Sequence, residues 1–381
     1  METAGTYDVA VVGGGIHGCT LALFLARGGM RVALVERGSL CREASGTNAG
    51  TLTMHMTRAA LIPYALRGHD MWATAPDWLG HAVGVVVCPG LSLAFTEAEA
   101  EMLRLRADKR RGAGAPIEIV SSARARQVEP GLSEAPILAA HCEIDGFASA
   151  YLTGLAYRAA LLDAGVEVME HSPAVGIDRG DKGFAVLRSE GPPVRAKRLI
   201  LTGGVWLEDM AAWLGLRLPI KVLVNQLAVT ERLPPVMRTV LGISSGLLSL
   251  KQFENGTIVI GGGWQGIGDR ERGGVSVLPE SLIGNLRLAC HAVPALRDAR
   301  LVRAWVGLEA ETADALPVAG AVPGVPDAYL CGSVHSGYTS GPYIARLPAE
   351  RILGREGELP LFPIERLVGD RQAAAGLAQV S

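Results

Sequence analysis

The densest chemical signal in the chain is six residues near its N-terminus, Gly13-Gly14-Gly15-Ile16-His17-Gly18, which satisfy GxGxxG. Glu36 follows 18 residues beyond Gly18. Such a run serves a dinucleotide: Gly13 permits a tight turn, Gly15 lets a pyrophosphate approach the backbone, and Gly18 lets a helix pack closely on a strand. The N-terminus of that helix adds unpaired N–H groups and a partial positive charge for phosphate. Glu36 is placed to accept hydrogen bonds from a ribose 2′-hydroxyl and would repel a 2′-phosphate. NADP is therefore disfavoured, and FAD and NAD remain.

Two more loops bear on that choice. Ala44-Ser45-Gly46-Thr47-Asn48-Ala49-Gly50 is a second small-residue loop, through which backbone can approach something flat or anionic. Near the C-terminus, Gly332-Ser333-Val334-His335-Ser336-Gly337-Tyr338-Thr339-Ser340-Gly341 follows an apolar run, and Pro342 then reads as the opening of a helix. A second helix N-terminus brought to the cofactor would suit the negative charge that builds on a reduced flavin ring. Both loops favour FAD.

These residues need particular elements behind them. The β-branched run 7–12 reads as a buried strand, and the pattern of Ile16, Leu21, Leu23, Phe24 and Leu25 as a helix ended by Gly28-Gly29. Residues 31–36 read as a second buried strand, completing a βαβ unit. Further on, 248–252 and 258–260 flank Glu254-Asn255-Gly256-Thr257 as a hairpin. Residues 97–111 read as a charged helix with a solvated face. Pro348 is expected to kink or break the last helix, since an interior proline costs about 3 kcal/mol or more. The Ala/Gly-rich tail after Asp370 is expected to fray.

Composition sets the outer bounds. The 381 residues carry 36 Lys+Arg against 38 Asp+Glu, with 49% hydrophobic, 19% charged and 48 Gly. That much apolar side chain excludes intrinsic disorder, and a formal charge of -2 argues against a nucleic-acid binder. No apolar stretch approaches the roughly 20 residues that cross a bilayer. The first residues lack the basic region of a signal peptide. Six scattered cysteines without a CxxC pair read as reduced thiols, and the expected location is cytoplasmic. A surface this poor in charge is what one component of a multi-chain assembly would show.

Taken in order, these pieces resemble the FAD-dependent D-amino acid oxidase superfamily over nearly the whole chain. Leu199-Ile200-Leu201-Thr202-Gly203-Gly204-Val205-Trp206 is similar to the family's strand ending in a Gly-x-Trp turn. Trp305-Val306-Gly307-Leu308, leading to Asp314-Ala315-Leu316-Pro317, matches a further family segment. Met56-Thr57-Arg58, Asn225-Gln226 and Lys251-Gln252 through Trp264 most resemble the β subunits of opine (octopine/nopaline) oxidases or dehydrogenases. Hydrogen cyanide synthase catalytic subunits, heteromeric proline dehydrogenases and glycine oxidases look like relatives.

The resemblance implies an α/β chain, α+β overall, with a Rossmann-like FAD-binding domain from 1–85, 142–218 and 309–381. An interleaved substrate domain of mixed or antiparallel sheet would take 86–141 and 219–308. It implies non-covalent FAD on Gly13, Gly15, Ile16, His17, Gly18, Glu36 and Arg37. Ala44, Ser45, Asn48, Ala49, Gly50 and Thr51 would join them, with Ala174, Gly203 and Trp206. The terminal loop would add Gly332, Ser333, His335, Ser336, Gly337, Tyr338 and Thr339.

Departures from the family pattern are equally informative. Glycine-oxidase-like relatives carry a carboxylate-binding arginine where this chain has Glu309, and a second where it has His335. A carboxylate in their place favours a substrate with a cationic or hydrogen-bond-donating arm. Arg58, Arg303 and Trp264 then become candidates for the substrate site, the arginines for its carboxylate. Oxygen-using sarcosine oxidases place a lysine in the strand matching 258–260, where this chain has Val259. Its absence favours a dehydrogenase that passes electrons onward. The leading expectation is thus the catalytic subunit of an opine-type amine dehydrogenase, oxidising a secondary amine to an imine that hydrolyses. Partner subunits would relay the electrons, with FMN at an interface or an iron–sulfur protein. The alternatives are a stand-alone oxygen-using amine or amino-acid oxidase, and a scaffold whose FAD is structural. No metal site is expected.

Overall fold

The computed structural model describes residues 6–335 and 337–368. Its first strand, β1 (Tyr7–Val12), shows why the N-terminal run is a strand. Val9 and Val11 pack into one apolar core, and Ala10 and Val12 into another on the opposite face. Successive side chains of a strand point to opposite faces, so the unbroken apolar run 9–12 needs cover on both. Helix α1 (Ile16–Arg27) gives part of that cover, and β2 (Val32–Val35) then pairs parallel to β1, Val9 opposite Val32 and Val12 opposite Val35. Gly29, at φ +86°, turns the chain between them in a conformation that a side chain would strain.

The chain next leaves this sheet through α2 (Ile62–Ala73) and builds β3 (Gly90–Ala94), α3 (Glu97–Gly112), β4 (Ile117–Ser121) and β5 (Leu138–Cys142). It returns with α4 (Ala150–Asp163), β6 (Glu167–Met169), β7 (Ala174–Gly180), β8 (Gly183–Arg188) and β9 (Val194–Leu201). A second excursion gives β10 (Lys221–Thr230), β11 (Val240–Ile243), β12 (Ser249–Gln252) and β13 (Ile258–Gly261). It closes with α5 (Pro279–Ala292) and β14 (Leu301–Glu311). The last return supplies β15 (Val318–Ala321), β16 (Ala328–Gly332) and α6 (Gly337–Ile352).

Two eight-stranded sheets result. The first runs β7-β8-β9-β1-β2-β6, with β16 also on β9 and β15 on β16. Its members β6, β2, β1, β9 and β16 are parallel, and both faces are covered by apolar clusters. The second runs β14-β10-β13-β12-β11-β3-β5-β4, antiparallel except for β11 with β3. The architecture is therefore α/β with a Rossmann-like sheet and an interleaved mixed sheet. The hairpin read from the sequence is β12–β13, with Lys251 opposite Val259 and Gly256 at φ +86° in the turn.

The last helix departs from expectation. It opens at Gly337, not at Pro342, and runs unbroken through Pro348 to Ile352. Pro342 has no N–H to offer the Tyr338 carbonyl four residues back, but the Trp72 indole N–H donates to that carbonyl at 2.9 Å. A tertiary contact replaces the lost helical bond, and packing against α1 and α2 holds the helix. The tail after Asp370 lies outside the described residues. Among the described residues no helix is long and apolar enough to cross a membrane.

Candidate active site

Val12, Val35, Thr202 and Gly332 stand at or just beyond the C-terminal ends of the parallel strands β1, β2, β9 and β16, and all border one cavity of about 740 Å³. Open α/β sheets bind ligands at this edge. The second sheet closes the other side with Asn225, Leu227, Ile243, Ser244 and Ser249.

The glycine turn is dictated by backbone proximity. Gly13 has φ +107°, and a Cβ there would lie 2.6 Å from the Thr202 carbonyl oxygen. A Cβ on Gly18 would lie 1.9 Å from the Gly13 carbonyl oxygen, so Gly18 serves helix packing and does not border the cavity. Gly15 does border it, and a Cβ there would meet only Ser45 Oγ, at 3.2 Å. Helix α1 has no side-chain cap at its N-terminal residue Gly15, and the Ile16 N–H donates to Ser45 Oγ at 3.0 Å. Glu36 accepts the Gly14 N–H at 2.6 Å and the Gly38 N–H at 2.7 Å. Its carboxylate lone pairs outnumber these two bonds, so it keeps capacity for ribose hydroxyls. A glycine turn open to the cavity at Gly15, a helix N-terminus and a fixed carboxylate fit the pyrophosphate and ribose of FAD.

The remaining cofactor candidates gather around this cradle. His17 is half-buried, its shielded Nε2 has no hydrogen-bond partner among the described residues, and burial lowers its pKa to about 4, so the ring is neutral at pH 7. Ala44, Ser45, Asn48, Ala49 and Thr51 border the cavity. Residues Ala44–Thr47, expected as part of a loop, form one turn of helix, and Asn48 at its end donates to the Ala44 and Ser45 carbonyls and accepts the Gly50 N–H at 2.6 Å. Gly50 itself stands back, at φ +69° and pressed on the Ala148 carbonyl. Arg37, with its guanidinium 3.4 Å from the Trp206 ring centroid, joins Ala174 and Gly203 on the wall. In the C-terminal loop Gly332, Ser333, His335, Gly337, Tyr338 and Thr339 border the cavity. Ser333 holds φ +53°, uncommon for a residue with a side chain, while its Oγ donates to the Gly204 carbonyl at 3.1 Å. Ser336 lies outside the described residues.

On the substrate side the two departures from the family pattern meet each other. His335 Nδ1 is 2.9 Å from Glu309 Oε2, and the Asn225 amide donates to the same oxygen. All three border the cavity. The other substrate candidates are not brought there. Arg58 donates to Glu311 Oε2 at 2.8 Å, in a cluster that Lys221 shares. Arg303 is exposed, 5.7 Å from the Trp305 ring centroid. Trp264 donates to the Leu247 carbonyl at 2.8 Å and packs over Gly284. Gly262 and Gly263 border the cavity beside it.

Three features escaped the sequence reading. Arg106 and Arg110 of α3 border the cavity, although 97–111 read as a solvated face. Their i,i+4 spacing was visible, but not which side of so charged a helix would turn inward. His55 also borders the cavity, with Nδ1 against Asp145 Oδ2 and both side chains buried. Lys251 is fully buried, reaching Ser249 Oγ at 3.3 Å and also Thr51 Oγ1, two groups on the cavity wall. Burial pulls its pKa down to about 7. The strand β13 carries no cation at Val259, but its ladder neighbour does. An isolated lysine in an apolar hairpin was the available signal.

A Rossmann-like sheet, a glycine-lined phosphate cradle and a second sheet closing a shared cavity define a flavin-dependent oxidoreductase. The family of FAD-dependent oxidoreductases, DAO, matches residues 8–351, and the chain belongs to it. Glycine oxidase of Geobacillus kaustophilus (strain HTA426) is 29% identical, covering 94% of this chain and 96% of that one. An opine oxidase subunit of Rhizobium meliloti is 26% identical, over 94% and 97%. The crystal structure of the Geobacillus kaustophilus glycine oxidase superposes with a TM-score of 0.87 at 26% identity, covering 96% of this chain and 100% of that one.

Proposed function

We propose that this FAD-dependent amine oxidoreductase oxidises the secondary amine of an N-substituted, opine-like amino acid to an imine that then hydrolyses. FAD, when bound, accepts the hydride from the carbon bearing nitrogen. The chain's own residues have to orient the donor, exclude water and set the charge around it. The observation that carries the reading is Glu309, a carboxylate on the cavity wall held by Asn225 and His335. It repels a donor carboxylate at that spot and attracts an ammonium or guanidinium arm. Similarity to both a glycine oxidase and an opine oxidase subunit supports an amine donor and leaves its size to experiment.

The same proposal divides the chain into an FAD-binding part, 1–85, 142–218 and 309–381, and a substrate part, 86–141 and 219–308. The two sheets support this division, with β14 crossing the seam at 309. FAD is held without a covalent bond; no cysteine among the described residues borders the cavity. Electrons pass in the cytoplasm to a partner protein, which supplies any FMN or iron–sulfur centre. A relative named as an oxidase subunit supports this, as does an exposed apolar stripe of Tyr151, Leu155 and Leu162 on α4.

Anaerobic bleaching of the flavin by a panel of amines tests the reading. Octopine or nopaline should bleach it faster than glycine or proline; the reverse order would sink the opine assignment. Glu309→Gln should raise KM for a guanidinium-bearing donor roughly tenfold, about 1.4 kcal/mol, and leave glycine less affected. An equal effect on both would deny Glu309 its role. A second reading, a stand-alone oxidase using oxygen, draws on Lys251, a buried amine behind the cavity wall. Fast recolouring of the bleached flavin in air would favour it.

A further inference from the structure

Arg106 and Arg110 stand one helical turn apart on α3, with Leu103 on the same cavity-facing side. Each gives one bond to backbone: Arg106 Nη1 to the Ser244 carbonyl, and Arg110 Nε to the Thr57 carbonyl at 2.7 Å. Among the described residues neither guanidinium is in an ion pair. Burial and the neighbouring Arg106 pull the Arg110 pKa down to about 10, so a half-buried guanidinium is held beside a like charge that reaches in from the exposed side of the helix. Such an arrangement costs free energy unless an anion joins it. Asp145 acts on Arg110 only at longer range and is itself engaged by His55 and the Met54 N–H.

The sheet fixes where this pair lies relative to Glu309. Ser244 follows β11, and Asn225 lies on β10, with β13 and β12 between them. Three strand spacings place the arginine end roughly 14 Å from the Asn225–Glu309 end. One cavity thus offers a cation-seeking carboxylate at one end and anion-seeking guanidiniums at the other.

We propose that Arg106 and Arg110 form a carboxylate-binding end of the substrate cavity, replacing the arginines absent at Glu309 and His335. The proposal rests on the amine-donor reading and narrows it: the donor carries a carboxylate toward α3 and a cationic or donating arm toward Glu309. The planar forks of two guanidiniums suit a carboxylate better than any uncharged group of similar shape.

The test uses the FAD-loaded protein and the shift of the flavin visible spectrum on titration with glutarate, with glutaramide as its uncharged counterpart. Glutarate should bind saturably, and Arg106→Gln or Arg110→Gln should each raise its Kd roughly tenfold or more. Arg110→Lys should lose less, and weak glutaramide binding should be the same in all variants. FAD content and melting temperature are measured alongside. Should R110Q not retain FAD, R106Q decides, because the Arg106 hydrogen bond goes to the Ser244 carbonyl on the far sheet, away from the phosphate cradle. An unchanged glutarate Kd in FAD-replete variants overturns the proposal. If amines bleach wild type and both variants equally, the anion end falls and amine oxidation stands. If no amine bleaches the flavin but glutarate binding follows the arginines, the donor reading falls and the anion end stands.

Discussion

Gly18→Ala should yield a protein that purifies nearly free of FAD, with a lowered melting temperature. The alanine Cβ would sit 1.9 Å from the Gly13 carbonyl oxygen and 2.6 Å from Thr202 Oγ1. Neither can retreat. Gly13 is fixed by the Val35 carbonyl, which accepts its N–H at 2.9 Å, and its own carbonyl accepts the Thr202 hydroxyl at 2.7 Å. Relief therefore means moving α1 off β1, which opens the cradle that the helix N-terminus completes. A cost of about 3 kcal/mol, the upper end of typical overpacking, corresponds to roughly a hundredfold weaker FAD binding if it falls on the loaded state. The flavin-to-protein absorbance ratio after gel filtration reads the result. Gly112→Ala is the control, since nothing lies within 4 Å of a Cβ there and the residue ends a helix. It should keep full FAD and equal or slightly exceed wild-type stability. Retention of FAD by the Gly18 variant at wild-type level would remove the close-packing argument.

Lys251→Met should stabilise the protein most at neutral and lower pH, with the gain shrinking as pH rises. The folded-state pKa is lowered to about 7 from the ordinary 10.5. Between those values the unfolded chain holds a proton that the folded chain has lost, so wild-type stability rises with pH across this window. Below about pH 7 both states hold the proton, and the full penalty of a buried charge is present. The gap from 10.5 to about 7 corresponds to on the order of 5 kcal/mol. Part of that gain is offset in the variant, because Thr51 and Ser249 lose the ammonium they now accept from. Melting temperatures of both proteins from pH 6 to pH 10 give the answer, and other titrating groups cancel in the difference. A difference constant across that range would show that Lys251 is not neutral in the folded protein above pH 7.

The cofactor half of the site was legible because its constraints are local. Gly18 is forced by a contact with the Gly13 carbonyl five residues back, and Gly13 by its own φ of +107°, so the turn has to be written as glycines in sequence. Glu36 ends the strand next to that turn and meets it by β-sheet register. The substrate half was less legible. Glu309 and His335 were singled out from the pattern, yet nothing in sequence says that residues 26 apart share one hydrogen bond. Arg58 and Arg303 carried the right chemistry on the wrong side: one is claimed by Glu311, the other faces solvent on β14. The continuity of α6 through Pro342 was hidden for the same reason, since its replacement bond comes from Trp72, 270 positions earlier.

Sequence alone determined the βαβ unit, the membership of the family and the two positions where the expected arginines are missing. These follow from short-range sterics and from spacing along one strand or helix, which a linear pattern records. Tertiary structure alone decided which charges face the cavity. A charged helix such as α3 has the same sequence whether Arg106 and Arg110 meet solvent or a ligand. Only the packing of Ala100, Leu103 and Ala107 into the protein fixes the rotation that turns them inward. Lys251 is the converse case, a side chain whose charge reads as ordinary and whose burial behind Thr51 and Ser249 brings its titration to neutral pH.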